Sequence, residues 1–429
     1  MNGSRLNRVQ NLAIFLLALA AAVLIVNLPL FGNLSDASLL ELARERLRRE
    51  AFVQDAPLQD GASPLALPVR IVYANSFARL GMDLLTTQSD EFERAGTYLS
   101  EALGSANAVR EMEEAAFLRA LWGEGLYFDF AVPLPTELLS GLLGVTAPEE
   151  PAVVRRALLS PAEEEAVLLV QDGAGLSFGF ETAVSSANLR DFLASQSGNR
   201  VDFAGLLGPE YARLSPYTLV LSEPSRGTLS VSNALSGSED AIFRRAEFNP
   251  HTENRFTESS GTVIVREVSS ALYLRPDGTV SYQGGELPTP GSIYFVPAAD
   301  SGAPTLYEAA AAAQRLASAL LQDAAGSASL FLSGVRRESG RFELSFDLIA
   351  GGVPIRYADG SHAASVTVEG QRITAFTVKV RRYAFNEDQA LLLPFSQAAS
   401  IARLWDGAEL ITAYVDNGFE SISPVWLAE

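Results

Sequence analysis

Residues 305–322 read TLYEAAAAAQRLASALLQ, followed by RFELSFDLIAGGVPIRYADG at 341–360 and ASVTVEGQRITAFTVKV at 364–380. In the first, Leu306, Ala310, Ala313, Leu316 and Leu320 recur at the three- and four-residue spacing of one helix face. Thr305 and Glu308 form a capping-box pair, which sets the start of that helix. The later stretches alternate apolar and polar residues, the period of a half-buried strand. Strands are predicted at 329–335, 342–349, 364–368 and 373–380, with turns at Asp359-Gly360 and Glu369-Gly370. The unit is a helix followed by an antiparallel meander, and the fold class is α+β.

The same unit recurs on both sides. A helix at 240–248 precedes strands at 262–268, 272–275 and 279–283, the last two joined by Arg275-Pro276-Asp277-Gly278. A truncated third copy has a helix at 391–405 and strands at 410–415 and 419–422 around Asp416-Asn417-Gly418. Upstream, strands are predicted at 70–74, 126–130 and 217–221, and helices at 109–122, 136–143 and 186–193. A hairpin at 166–170 and 176–184 turns on Asp172-Gly173, and TAPEEP at 146–151 reads as a linker.

Residues 12–31, LAIFLLALAAAVLIVNLPLF, are apolar and uncharged. Roughly 20 helical residues cover about 30 Å, the hydrocarbon thickness of a bilayer. Ala20-Ala21-Ala22 offer small residues for a signal-peptidase cut, but Val23 to Val26 continue the run, so we read a retained anchor. Arg5 and Arg8 flank one side, and Arg44, Arg46, Arg48 and Arg49 follow the other. Long domains translocate largely regardless of such charges, so the expected orientation is N-terminus inside and C-terminal domain outside the cell membrane. The absence of cysteine suits an oxidising compartment.

The resulting division is a cytoplasmic tail (1–10), a single transmembrane helix (11–32), a juxtamembrane helix and linker (33–68), an N-terminal α+β module (69–150), a central region (151–300) and a C-terminal module (301–429). The juxtamembrane helix covers 36–50, with Leu39, Leu40, Ala43 and Leu47 on one face. The chain carries 51 acidic against 32 basic residues. That balance excludes a nucleic-acid partner, which requires basic patches to neutralise phosphates.

Chemistry-bearing residues are few. His251 and His362 lie in separate turns, neither with a second ligand at metal spacing. Gly175-Leu176-Ser177-Phe178-Gly179 matches the nucleophile-elbow pattern, but Ser177 sits within a strand and no helix follows directly. The spacing of Gly173, Gly175 and Gly179 does not fit a dinucleotide loop. Glu149-Glu150 and Glu163-Glu164-Glu165 read as solvated loops, and Lys379, the only lysine, as a solvated strand residue. Phe376, Tyr383, Phe385 and Phe395 read as core aromatics. No catalytic, cofactor-binding or metal-binding residues are assigned, and no cofactor is expected.

The helix YEAAAAAQRLASALL, the strands and G-x-P-I turn entry of RFELSFDLIAGGVPIRYADG, and the closing pair ASVTVEGQRITAFTVKVRRY occur in an order similar to the YycI-like module, related in style to PepSY domains. Residues 248–283, FNPHTENRFTESSGTVIVREVSSALYLRPDGTVSYQ, resemble the second module of YycH-type proteins. The likeness is specific over 240–383. It implies a non-enzymatic extracytoplasmic regulator that binds a membrane sensor histidine kinase of a two-component system, alongside a paralogous single-pass regulator, in cell-wall homeostasis. The alternatives are an envelope adaptor or protease-inhibitory PepSY-type protein in wall or spore assembly, and an anchored hydrolase using Ser177.

Overall fold

The computed structural model describes residues 68–429 except 76–77, 84–89, 149–151, 198, 222–224, 234, 236–238, 268, 286–287, 299–301 and 322–324. The predicted tail, span and juxtamembrane helix lie outside the described residues. Among the described residues, no helix is long and apolar enough to cross a membrane.

The chain is α+β, with mostly antiparallel sheets and seven helices among the described residues. The first sheet is built from β1 (Arg70–Ala74), β2 (Arg79–Asp83), β3 (Asn107–Met112), β4 (Gly125–Pro135), β5 (Val153–Ser160), β6 (Glu165–Gln171), β7 (Ser177–Ser185), β8 (Asn199–Phe203) and β9 (Leu219–Leu221). Its nine strands lie in the order β3-β7-β6-β5-β4-β1-β2-β8-β9, and all pairings are antiparallel. The predicted border at 150/151 therefore falls between two neighbouring strands of one sheet, β4 and β5. Strand alternation gives this sheet two apolar faces. Phe128, Phe130, Ala157 and Leu159 pack with helices α1 (Asp90–Gly104), α3 (Thr136–Leu143) and α4 (Ser186–Ser195). Tyr127 and Leu158 face the other way, against Phe117 and Leu121 of α2 (Glu114–Leu121) and against Phe203 and Tyr217.

After β10 (Ser225–Asn233), α5 (Glu239–Arg245) precedes β11 (Arg255–Thr257), β12 (Val263–Glu267), β13 (Ser270–Leu274) and β14 (Thr279–Gln283). Helix α6 (Leu306–Leu321) precedes β15 (Ala328–Glu338), β16 (Arg341–Ala350), β17 (Val353–Tyr357), β18 (Ala364–Glu369), β19 (Arg372–Lys379) and β20 (Arg381–Leu391). Last come α7 (Phe395–Ala402), β21 (Leu410–Asp416), β22 (Ser421–Ile422) and β23 (Pro424–Ala428). The two meanders fuse, because β14 pairs with β19. The result is one eleven-stranded sheet, β11-β12-β13-β14-β19-β18-β16-β17-β21-β23, with β15 also on β16. The turn from β16 to β17 uses Gly351 (φ 55°) and Gly352 (φ 76°). A two-residue hairpin turn of this type needs positive φ at both positions, which glycine adopts without strain.

Helix α6 is capped as predicted. Glu308 Oε2 accepts the Thr305 backbone N–H at 2.7 Å, and the Glu308 N–H donates to Thr305 Oγ1 at 3.2 Å. The helix then buries Leu306, Ala310, Ala313, Leu316 and Leu320. Thr305→Ala should cost about 1 kcal/mol, measurable as a lower denaturation midpoint with unchanged m-value.

Three expectations need correction. The helix predicted at 109–122 is β3 followed by α2, because Asn107–Met112 adds to the edge of β7 and that pairing overrides local helix preference. The helix predicted at 391–405 is confined to Phe395–Ala402. Pro394 disfavours helix for the residue before it and sits at the N-cap, leaving Leu392 and Leu393 outside the helix. The strand near 419–422 does not return along β21; β22 pairs with β10, and β21 is flanked by β17, in parallel, and β23.

Candidate functional site

A row of polar side chains crosses the second face of the first sheet. Arg70, Asp129, Arg156, Gln171 and Ser177 are register partners on β1, β4, β5, β6 and β7. Cross-strand partners point to the same face, so these five lie side by side. Asp129, fully buried, pairs with Arg70 at 2.5 Å and with Arg155. Arg156 donates to Gln171 Oε1 at 2.9 Å, and its guanidinium lies 4.2 Å from the Tyr217 ring centroid. Glu409, just before β21, spans the row, with Oε1 2.7 Å from Arg70 and Oε2 2.5 Å from Arg156. Burial alone would raise the Asp129 carboxyl, but the guanidiniums of Arg155, Arg70 and Arg156 outweigh it and hold the pKa below the usual range. Burial and the Asp129 charge push the Tyr127 phenol up.

This row is a latch between the N-terminal sheet and residues 406–410. The Leu410 N–H donates to Thr218 Oγ1, the Ser215 N–H to the Ala408 carbonyl, and the Gly407 N–H to the Arg213 carbonyl. The latch holds the base of an apolar groove of about 500 Å³. The groove is lined by Leu391, Leu392, Leu393, Ala398, Ile401, Ala402, Trp405, Leu410 and all five residues of β23. No lining residue ionises, so the groove can bind apolar surface but supplies no acid, base or nucleophile. Several lining side chains are strongly exposed: Leu391 at 92%, Trp405 at 56% and Ile401 at 55%. Contiguous exposed apolar surface of this kind marks interaction sites on soluble domains.

The residues weighed for chemistry are scattered. Ser177 is fully buried, and its Oγ has no hydrogen-bond partner among the described residues. His251 is exposed in its turn. His362 is half-buried, and its Nδ1 lies 3.0 Å from Asp347 Oδ1 and 3.3 Å from Ser333 Oγ. Both contacts fall on one ring nitrogen. A serine–histidine–aspartate relay needs the serine on Nε2 and the carboxylate on Nδ1, so this cluster does not form one. Lys379 is not simply solvated; its Nζ pairs with Asp359 at 2.9 Å and lies 4.1 Å from the Tyr357 ring centroid. Phe376 stacks on Tyr282, and Tyr383 is buried, donating to Asp416 Oδ2 at 2.7 Å. Phe385 is exposed, and Phe395 packs edge-on against Trp426. Among the described residues no group of three or more acidic or histidine side chains could hold a metal ion.

The hydrogen bond to Asp347 raises the His362 pKa; burial and Arg356 oppose this without cancelling it. A raised folded value means the pair stabilises the fold fully below the unfolded pKa of about 6.5 and loses that contribution as pH rises through the folded value. Asp347→Asn should move the His362 titration to lower pH, read by NMR of the ring protons.

No family model matches the chain, and neither the curated proteins nor the solved structures compared with it give a match.

Proposed function

We propose that this chain is a membrane-anchored, non-enzymatic regulator whose outer part docks a membrane sensor histidine kinase of a two-component system and biases its activity in cell-wall homeostasis. The observation that carries this reading is the groove between Leu391–Leu393, α7 and β23, an exposed apolar surface without an ionisable lining residue. The apolar run at 12–31, long enough for one membrane span, supports the anchor in this reading. The order of helix and strands over 240–383 supplies the resemblance to YycH and YycI modules. Mild cross-linking of the full-length chain in native membranes, affinity isolation and mass spectrometry test it. Enrichment of a sensor histidine kinase is expected. Enrichment of wall enzymes or proteases without a kinase would overturn this reading in favour of the adaptor or inhibitor.

A further inference from the structure

Strand β23 is an edge of the eleven-stranded sheet, and it runs along the groove. Folded proteins blunt sheet edges with charge, lysine or proline, because unpaired N–H and C=O groups invite another strand. Three other edges follow that rule: β3 carries Arg110 and Glu111, β11 carries Arg255, and β15 ends in Arg336-Arg337-Glu338; the uncharged edges β9 and β22 are only three and two residues long. Strand β23, Pro-Val-Trp-Leu-Ala, carries no charge. The flanking carboxylates are already neutralised within the same copy, Glu429 by Arg356 and Glu409 by Arg70 and Arg156.

The direction of the free groups follows from the pairing with β21. Glu409 and Glu429 exchange both backbone hydrogen bonds at 2.9 Å. Antiparallel alternation then turns the N–H and C=O of residues 425 and 427 toward β21, and those of Trp426 and Ala428 outward. Outward groups two residues apart are self-complementary about the residue between them.

We propose that β23 of one copy pairs antiparallel with β23 of a second copy about a twofold axis at Leu427, covering the groove of both. Trp426 and Ala428 of each copy then make four interchain backbone hydrogen bonds, and Pro424, which has no N–H, stays outside the pairing. The contact is isologous, so it closes at two copies. The exposed parts of Leu391, Leu393, Ile401, Trp405 and Val425 amount to several hundred Å² per copy, on the scale of the ~800 Å² per partner of a standard interface. The inference rests on the groove being the docking surface and adds that a second copy occupies it when the kinase does not. Residues 1–67 carry six charges of each sign, so residues 68–429 of each copy hold the whole net charge of −19. The copies repel at long range, and added salt strengthens the pairing.

The cysteine-free chain allows an unambiguous test. In this register residue 427 faces its own copy in a non-hydrogen-bonded pair, where Cβ atoms come within about 4.5–5.5 Å and a disulfide needs little adjustment. Full-length Leu427→Cys in native membranes should form a disulfide dimer under mild oxidant, several-fold more than Val425→Cys or the exposed-turn control Glu258→Cys. Adding Ala428→Pro to Leu427→Cys, which removes an outward N–H, should abolish the excess. Equal cross-linking at 427 and 258, or none at 427, would overturn the pairing. A kinase captured at the groove without a 427 disulfide would overturn this inference alone. A 427 disulfide without a captured kinase would overturn the proposed function alone.

Discussion

Asp129→Ala is expected to destabilise the fold by about 3–5 kcal/mol, the range for removing one partner of a buried ion pair and leaving the other charge unpaired. The carboxyl is fully buried between Arg70 and Arg155, and Arg156 lies next in register. Without it, Arg155 loses its carboxylate partner, and Arg70 and Arg156 share the single carboxylate of Glu409. The comparison is Asp359→Ala, which removes an exposed partner of Lys379 and should cost within about 1 kcal/mol. Denaturant unfolding of the full-length chain in detergent, followed by tryptophan emission, measures both. The pH dependence has a fixed sign. Because the folded pKa of Asp129 is depressed, its contribution is full above the unfolded value of about 3.9 and is lost as pH falls through the folded value. The gap between wild type and variant should therefore be widest at neutral pH and narrow below pH ~4.

Under the proposed docking of a kinase in the groove, Ile401→Asp is expected to lower the amount of kinase recovered with the full-length chain by roughly 30-fold, the equivalent of about 2 kcal/mol at an interface hot spot. Ile401 lies on α7 in the groove wall and is 55% exposed, so the substitution should leave the denaturation midpoint nearly unchanged. Phe346→Ala, which empties a fully buried core position in β16, should instead lower stability by about 3–5 kcal/mol. Reduced recovery in both variants would indicate lost fold; reduced recovery in Ile401→Asp alone would indicate a lost contact.

Sequence periodicity reached those elements whose burial is set locally. The capping box and alanine-rich face of α6, the Asp172-Gly173 hairpin and the meander over 263–283 each declare themselves within a few residues. The latch does not. Arg70 and Glu409 are 339 positions apart, Arg156 and Glu409 are 253 apart, and each looks like an ordinary solvated charge in its own segment. Asp129 lies within Leu126-Tyr127-Phe128-Asp129-Phe130, whose alternation marks a strand but cannot reveal that its second face is also buried. The groove escaped for the converse reason. Leu391-Leu392-Leu393 and Val425-Trp426-Leu427 have the composition of core, and local sequence does not show that Leu391 remains 92% exposed. Strand β23 itself is five residues beginning with proline, too short for a period-two pattern to stand out.

The most direct test of the central claim is a photo-cross-linking amino acid placed at position 401 of the full-length chain in its native membrane, with the same group at the exposed turn position 258 as control. The proposed function predicts a sensor histidine kinase cross-linked at 401 and absent at 258. Cross-links from 401 to no kinase, or equal kinase capture from both positions, would contradict it.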